Sequence, residues 1–149
     1  MLDKSEWAEL IPHAGTMCLL DAVVAWDEVT LHAISTSYAH ADHPLRSAAG
    51  LHAMHLTEYG AQAMAVHGGL LARAHGEAKV RPGRLVSLRD VVINVEYVDV
   101  DSGRLDVYVE RLYADSSGAQ YAFRVEQGSQ LLASGRAAVI HVDTIHLDA

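Results

Sequence analysis

The chain is 149 residues long, half of them hydrophobic and a fifth charged, with only 3 prolines and 11 glycines. That composition fits one domain, which at this length buries roughly 68–70% of its unfolded surface, and excludes disordered, collagen-like and low-complexity chains. Nineteen acids against eleven bases give a net charge of −8, so no nucleic-acid partner is expected. No apolar run approaches the roughly 18 residues that span a bilayer, so no membrane association is expected either. The first seven residues lack a basic stretch leading into an apolar one, so no signal peptide is predicted. A lone cysteine, Cys18, excludes an internal disulfide and points to a reducing, cytoplasmic setting.

Residues 5–11 predict a short helical turn that Pro12 ends. From Met17 to Val24 the chain is apolar, and Leu31, Ala33 and Ser35 then alternate with His32, Ile34 and Thr36. Two strands joined near Trp26, Asp27 and Glu28 are expected there. Residues 38–47 read as a loop carrying His40, Asp42, His43, Pro44 and Arg46. Residues 48–74 contain no proline and are rich in Ala, Leu and Met, which predicts one long helix.

Between Ala48 and Ala72 this helix carries a single charged residue, Glu58, and it is small on most faces. A helix apolar nearly all round is a buried one. Its glycines cost about 1 kcal/mol each against alanine, so close approach of another backbone is expected beside them. After Pro82-Gly83, strands are expected at about 84–98, 104–114, 119–127 and 131–142, with turns at Asp101-Ser102-Gly103, Asp115-Ser116-Ser117-Gly118 and Gln127-Gly128-Ser129. Leu105, Val107 and Val109 alternate with polar residues, as do Tyr121, Phe123 and Val125, so these strands bury one face. Two strands, a long buried helix and four antiparallel strands make an α+β domain, a curved sheet wrapped around a helix.

Glu58 is the most informative single residue. A carboxylate on a helix built for burial must be paired, neutral or functional, because an isolated buried charge is costly. Seven of the ten histidines are His13, His32, His40, His43, His52, His55 and His67. His52, His55 and Glu58 at i, i+3 and i+6 drift about 60° per step around a helix and converge poorly, so no metal is expected. Loop histidines such as His13 and His43 are the freer imidazoles. Cys18 sits in an apolar run with no adjacent base and reads as a packing residue. No serine nucleophile elbow, P-loop or dinucleotide glycine motif occurs. Arg73, Lys79, Arg81, Arg84 and Arg89 place five of the eleven bases in seventeen residues, either an ordinary solvated segment or a site for a phosphate or acidic partner.

Four stretches in order resemble a known family. Pro12-His13 with Leu19-Leu20-Asp21 is similar to the opening motif of hotdog-fold β-hydroxyacyl-(acyl carrier protein) dehydratases, and Glu58-Tyr59-Gly60-Ala61-Gln62 matches the start of their central helix. With Pro44-Leu45-Arg46 and Leu85-Val86-Ser87-Leu88-Arg89-Asp90, the chain looks closest to the ApeP-like dehydratases associated with aryl polyene pigments. The resemblance covers nearly the whole chain.

It implies a single hotdog domain over residues 1–149 and a dehydratase acting without metal or nucleotide cofactor on 3-hydroxyacyl chains delivered on the phosphopantetheine of acyl carrier protein. Glu58 matches the family's acid and Gln62 its glutamine one turn later. Typical members carry a histidine in a glycine-flanked loop fourteen residues before the acid. Here that loop reads Ala41-Asp42-His43-Pro44-Leu45-Arg46, with His43 fifteen before Glu58. The base is therefore assigned to His13, with His43 as the alternative. The acyl tunnel is expected to be lined by Met54, Met64 and Leu51, and Arg81 and Arg84 to receive the carrier. Hotdog sites form between two subunits, so a homo-oligomer or a hotdog heterodimer is implied. An acyl thioesterase on the same fold and a non-catalytic partner subunit are the alternatives.

Overall fold

The computed structural model describes residues 1–11, 15–76 and 83–141. The strands are β1 (Leu2–Asp3), β2 (Ala22–Trp26), β3 (Thr30–Ser35), β4 (Gly83–Ile93), β5 (Leu105–Asp115), β6 (Gly118–Gln127) and β7 (Gln130–His141), with one long helix, α1 (Leu56–Ala74). Short 3-10 turns occupy Lys4–Glu6, Ala8–Leu10, Gly15–Met17, Ser37–Ala39 and Ala53–His55. The strands form one antiparallel sheet in the order β1-β2-β3-β5-β6-β7-β4. This is the expected α+β architecture, with the two early strands, the helix and the four later strands in the predicted order.

Period-two alternation decides which face of the sheet meets the helix. Leu31 and Ala33 of β3, Leu105, Val107 and Val109 of β5, Tyr121, Phe123 and Val125 of β6, and Ala133 and Ala137 of β7 are all buried. Against them α1 buries Leu56, Tyr59, Ala63, Met64, Val66 and Leu70. Trp7, from the N-terminal turns, completes the same core.

Four expectations are corrected. The helix begins at Leu56, not Ala48. Residues 51–53 instead pair with the chain after β4: the Val98 amide donates to the Leu51 carbonyl at 2.9 Å and the Ala53 amide to the Glu96 carbonyl at 2.8 Å. For the same reason β4 ends at Ile93 and does not run on to about 98. The first sheet strand of the pair starts at Ala22, because the Met17–Leu19 backbone is engaged elsewhere. Finally, side chains and not another backbone crowd the helix glycines. A Cβ on Gly60 would lie 2.8 Å from the Phe123 ring, one on Gly69 2.8 Å from Leu10 Cβ, and one on Gly68 would meet nothing within 4 Å.

Candidate functional site

Glu58 lies in the first turn of α1, where the positive end of the helix dipole favours a carboxylate. The helix is otherwise largely buried, but Glu58 itself is half-buried and reachable from solvent. One turn on, Gln62 is fully buried with its carboxamide bonded in a way that fixes its orientation. Its Oε1 accepts the Leu19 amide at 2.9 Å, and its Nε2 donates to the Met17 carbonyl at 2.8 Å. Because Oε1 can only accept, Nε2 also faces Glu58, whose Oε1 is 3.5 Å away. Gln62 therefore joins the Glu58 carboxylate to the strap at Met17–Leu19.

The strap is held from a second side. Ser35, buried at the end of β3, donates its hydroxyl to the Leu19 carbonyl at 2.8 Å. Asp21, where the strap enters β2, accepts the Thr36 amide at 2.6 Å. Together the helix glutamine and the β3 serine hold both polar groups of Leu19, so the backbone just beyond the Pro12-His13 motif has one position relative to Glu58.

His43 is 6% exposed. Its Nδ1 accepts the Leu45 amide at 3.2 Å and its Nε2 lies 3.0 Å from the Tyr59 hydroxyl. Burial, then the nearby Arg46, holds its pKa below the usual imidazole range. Burial likewise pushes the Tyr59 phenol up, offset in part by the Ser35 hydroxyl beside it.

Of the other expected site residues, Met54 points outward at 56% exposure, whereas Leu51 and Met64 are buried in the core. Arg84 is exposed on β4. His13 and Arg81 lie outside the described residues. The structure thus brings together Glu58 and Gln62, sets His43 against Tyr59, and leaves Met54 and Arg84 on the surface. Sequence reasoning passed over Tyr59 and Ser35. The available signal was a polar residue at a core-facing position of an alternating strand, Ser35 after Leu31 and Ala33. Among the described residues no cluster of His, Cys, Asp and Glu is placed to hold a metal, and no helix is long and apolar enough to cross a membrane.

A family model described as ApeP dehydratase matches residues 5–148. No curated protein sequence matches the chain significantly. Among solved structures, the dehydratase heterocomplex ApeI:P from Xenorhabdus doucetiae superposes with a TM-score of 0.83 at 22% identity, covering 95% of this chain and 93% of that one. A conserved protein from Pseudomonas aeruginosa gives 0.63 at 20% identity over 90% and 98% of the two chains. A mutant of a thioesterase enzyme from Staphylococcus aureus subsp. aureus Mu50 gives 0.58 at 14% identity over 81% and 93%. At these identities the structural likenesses establish the hotdog fold alone.

Proposed function

The chain belongs to the ApeP-like dehydratase family, and on that premise we propose that it dehydrates 3-hydroxyacyl thioesters presented by acyl carrier protein. The observation that carries this reading is the Gln62 bridge. It ties the Glu58 carboxyl group to the Met17–Leu19 strap, and His13 lies only four residues before Met17.

In the proposed reaction His13 takes a proton from C2 of the acyl chain while the Glu58 carboxylic acid gives one to the C3 hydroxyl. The C3–O bond breaks, water leaves, and a double bond forms between C2 and C3. Charge that develops on the thioester oxygen is favoured by the positive end of the α1 dipole, in whose first turn Glu58 stands. The exposed Arg84, with Arg81 of the same basic segment, suits the acidic carrier and its phosphopantetheine phosphate.

The active unit in this reading is a pair of hotdog subunits. Leu88 and Ile93 of β4 pair with the buried Ala137 and Ala133, so they share the helix side of the sheet, yet they stay 41% and 39% exposed. Helix α1 packs chiefly on β3, β5, β6 and β7 and leaves that apolar ledge at the sheet edge uncovered. On α1 the half-exposed residues Ala61, Ala65, Gly68 and Ala72 form a stripe of small side chains, against which another helix can approach closely. The dehydratase structure most like this chain among those compared above is itself a heterocomplex, which favours a different hotdog chain as the partner.

Mass spectrometry of a 3-hydroxyacyl carrier protein incubated with the protein tests the reading, with the chain alone and with a co-expressed hotdog partner. Loss of one water with wild type, absent with Glu58→Gln and with His13→Ala, supports it. Release of free thiol indicates the thioesterase instead. No reaction alone or with the partner indicates a non-catalytic subunit.

A further inference from the structure

The sheet has a second face, turned away from α1, and its edge carries charge that the subunit does not neutralise. On β7 the buried Ala133 and Ala137 face the helix, so Ser134, Arg136, Ala138 and Ile140 stand on the outer side. The register places Arg89 of β4 directly opposite Arg136, and Arg84 opposite Ile140. All three arginines are exposed, and among the described residues none of them forms an ion pair. Asp90 and Glu110 line the shallow depression beside Arg136, but neither is paired with it. Two guanidinium groups directly opposite each other on paired strands repel. The chain as a whole carries a net charge of −8, so the stripe is a local reversal of sign and not part of a generally basic surface.

The shape of the stripe selects its occupant. Arg136 and Ile140 are four residues apart on β7, so Arg84 lies roughly 13–14 Å along the strands from the Arg89–Arg136 pair, at about 3.4 Å per residue. One small anion cannot touch both ends. The cross-strand pair between them is Ser87 and Ala138, both small, which leaves a low floor between cationic posts. An α-helix of about nine residues is about 13.5 Å long, and carboxylates three or four positions apart on it share one face. Such a helix matches the floor in length and the posts in charge.

We propose that the outer face of β4 and β7 docks an acidic helix of the carrier that delivers the substrate, held by Arg84 at one end and by Arg89 with Arg136 at the other. The identity of the occupant rests on the dehydratase reading; the surface does not. Alternation along β4 then divides its work between neighbours: Leu88 stands on the helix side, toward a partner subunit, and Arg89 on the outer side, toward the carrier. Arg136 lies far along the chain from the cluster of bases at 73–89 and joins it only through the sheet register.

Fluorescence anisotropy of a labelled acyl carrier protein lacking its phosphopantetheine arm, titrated with the full chain alone and with a co-expressed hotdog partner, tests this apart from turnover. Wild type should bind, and Arg89→Glu and Arg136→Glu should each raise Kd about tenfold at about 0.1 M salt. The difference should fade toward about 1 M salt, where the screening length drops from roughly 10 Å to roughly 3 Å. Arg104→Glu makes the same change of net charge just before β5, away from the stripe, and should leave Kd near the wild-type value. Because the opposed guanidinium groups repel, Arg136→Gln should weaken binding without lowering Tm, whereas a structural role would lower Tm. No binding by wild type, a Kd unmoved in both reversals, or an equal loss in Arg104→Glu overturns the proposal. Binding that needs the phosphopantetheine arm, or that inorganic phosphate abolishes at constant ionic strength, also overturns it, since the arginines then take a phosphate and not a helix. With an active preparation, both reversals should raise KM about tenfold and leave kcat unchanged. Dehydration with an unmoved KM removes the docking surface and leaves the dehydratase reading standing; arginine-dependent binding without dehydration does the reverse.

Discussion

The Gln62 carboxamide accepts the Leu19 amide at 2.9 Å across 43 positions of sequence and, through its other end, faces the carboxylate one helical turn before it. A single uncharged side chain thus does two tasks. It satisfies the backbone of the Met17–Leu19 strap, and it faces the Glu58 carboxylate. The ladder of β2 begins only at Ala22 and so cannot do this, and the core that buries Leu19 and Leu20 supplies no partner for the polar backbone of Leu19.

Replacing Gln62 by leucine therefore removes partners from two backbone groups at once. The Leu19 amide is left buried without its acceptor and the Met17 carbonyl without its donor, at a cost of about 2–4 kcal/mol. Urea unfolding should show a lower midpoint at an unchanged slope. Turnover should fall as well, since the strap is no longer tied to Glu58. A Gln62→Leu variant with wild-type stability would show that the strap is held by other contacts.

Two helix glycines should respond in opposite ways to alanine. At Gly60 the added Cβ would stand 2.8 Å from the Phe123 ring, and the resulting overpacking should cost about 1–3 kcal/mol. At Gly68 the Cβ meets nothing within 4 Å, so the isolated subunit should gain up to about 1 kcal/mol from helix propensity. Chemical denaturation checks both. In the proposed pair of subunits the same methyl group would enter the seam between helices, so Gly68→Ala should weaken subunit association even as it stabilises the single chain.

Charging the uncovered ledge should dissociate the pair. Leu88 stands on the helix side of the edge strand β4, where a partner subunit would bury it. Leu88→Lys places an ammonium group in that seam without disturbing the subunit's own core. Light scattering should report a smaller particle, and dehydration should fall with it. An unchanged particle size would place the subunit contact elsewhere.

Acid should destabilise the fold through His67. This ring is fully buried on α1. Its Nε2 donates to the Asp27 carbonyl at 2.8 Å, so Nδ1 accepts from the Tyr121 hydroxyl at 2.7 Å. Burial holds its pKa below the usual range, and Arg111 on β5 adds to that, outweighing the Asp27 bond and the Asp27 and Glu28 carboxylates. The depressed native pKa means that the unfolded chain binds the proton first. Stability is thus fully present above an unfolded pKa of about 6.5 and is lost as pH falls from there, by up to about 1.4 kcal/mol per unit for each such group. His43 shifts in the same direction and adds to the loss. Unfolding at about pH 7.5 and about pH 5.5 should show the drop, and His67→Gln should flatten it. Greater stability at the lower pH would overturn the assignment.

The sequence by itself determined the order of elements, the burial of α1 and the family. Each is carried by local, periodic or contiguous signals: alternation in β5 and β6, an almost uncharged stretch around Glu58, and Glu58-Tyr59-Gly60-Ala61-Gln62 as one motif. Even so, helix propensity between Ala48 and His55 was overruled, because residues 51–53 find backbone partners at 96–98, and no local pattern encodes a partner more than forty residues away. The same distance hid the candidate site's support. Sequence placed Gln62 one turn from Glu58, but only the tertiary structure brought the Leu19 backbone to it, set Ser35 beneath that strap, and turned His43 onto Tyr59. Hydrogen bonds are short and directional, so they are decided by where the packed elements finally bring their groups, whereas hydrophobic periodicity is decided one residue at a time along the chain.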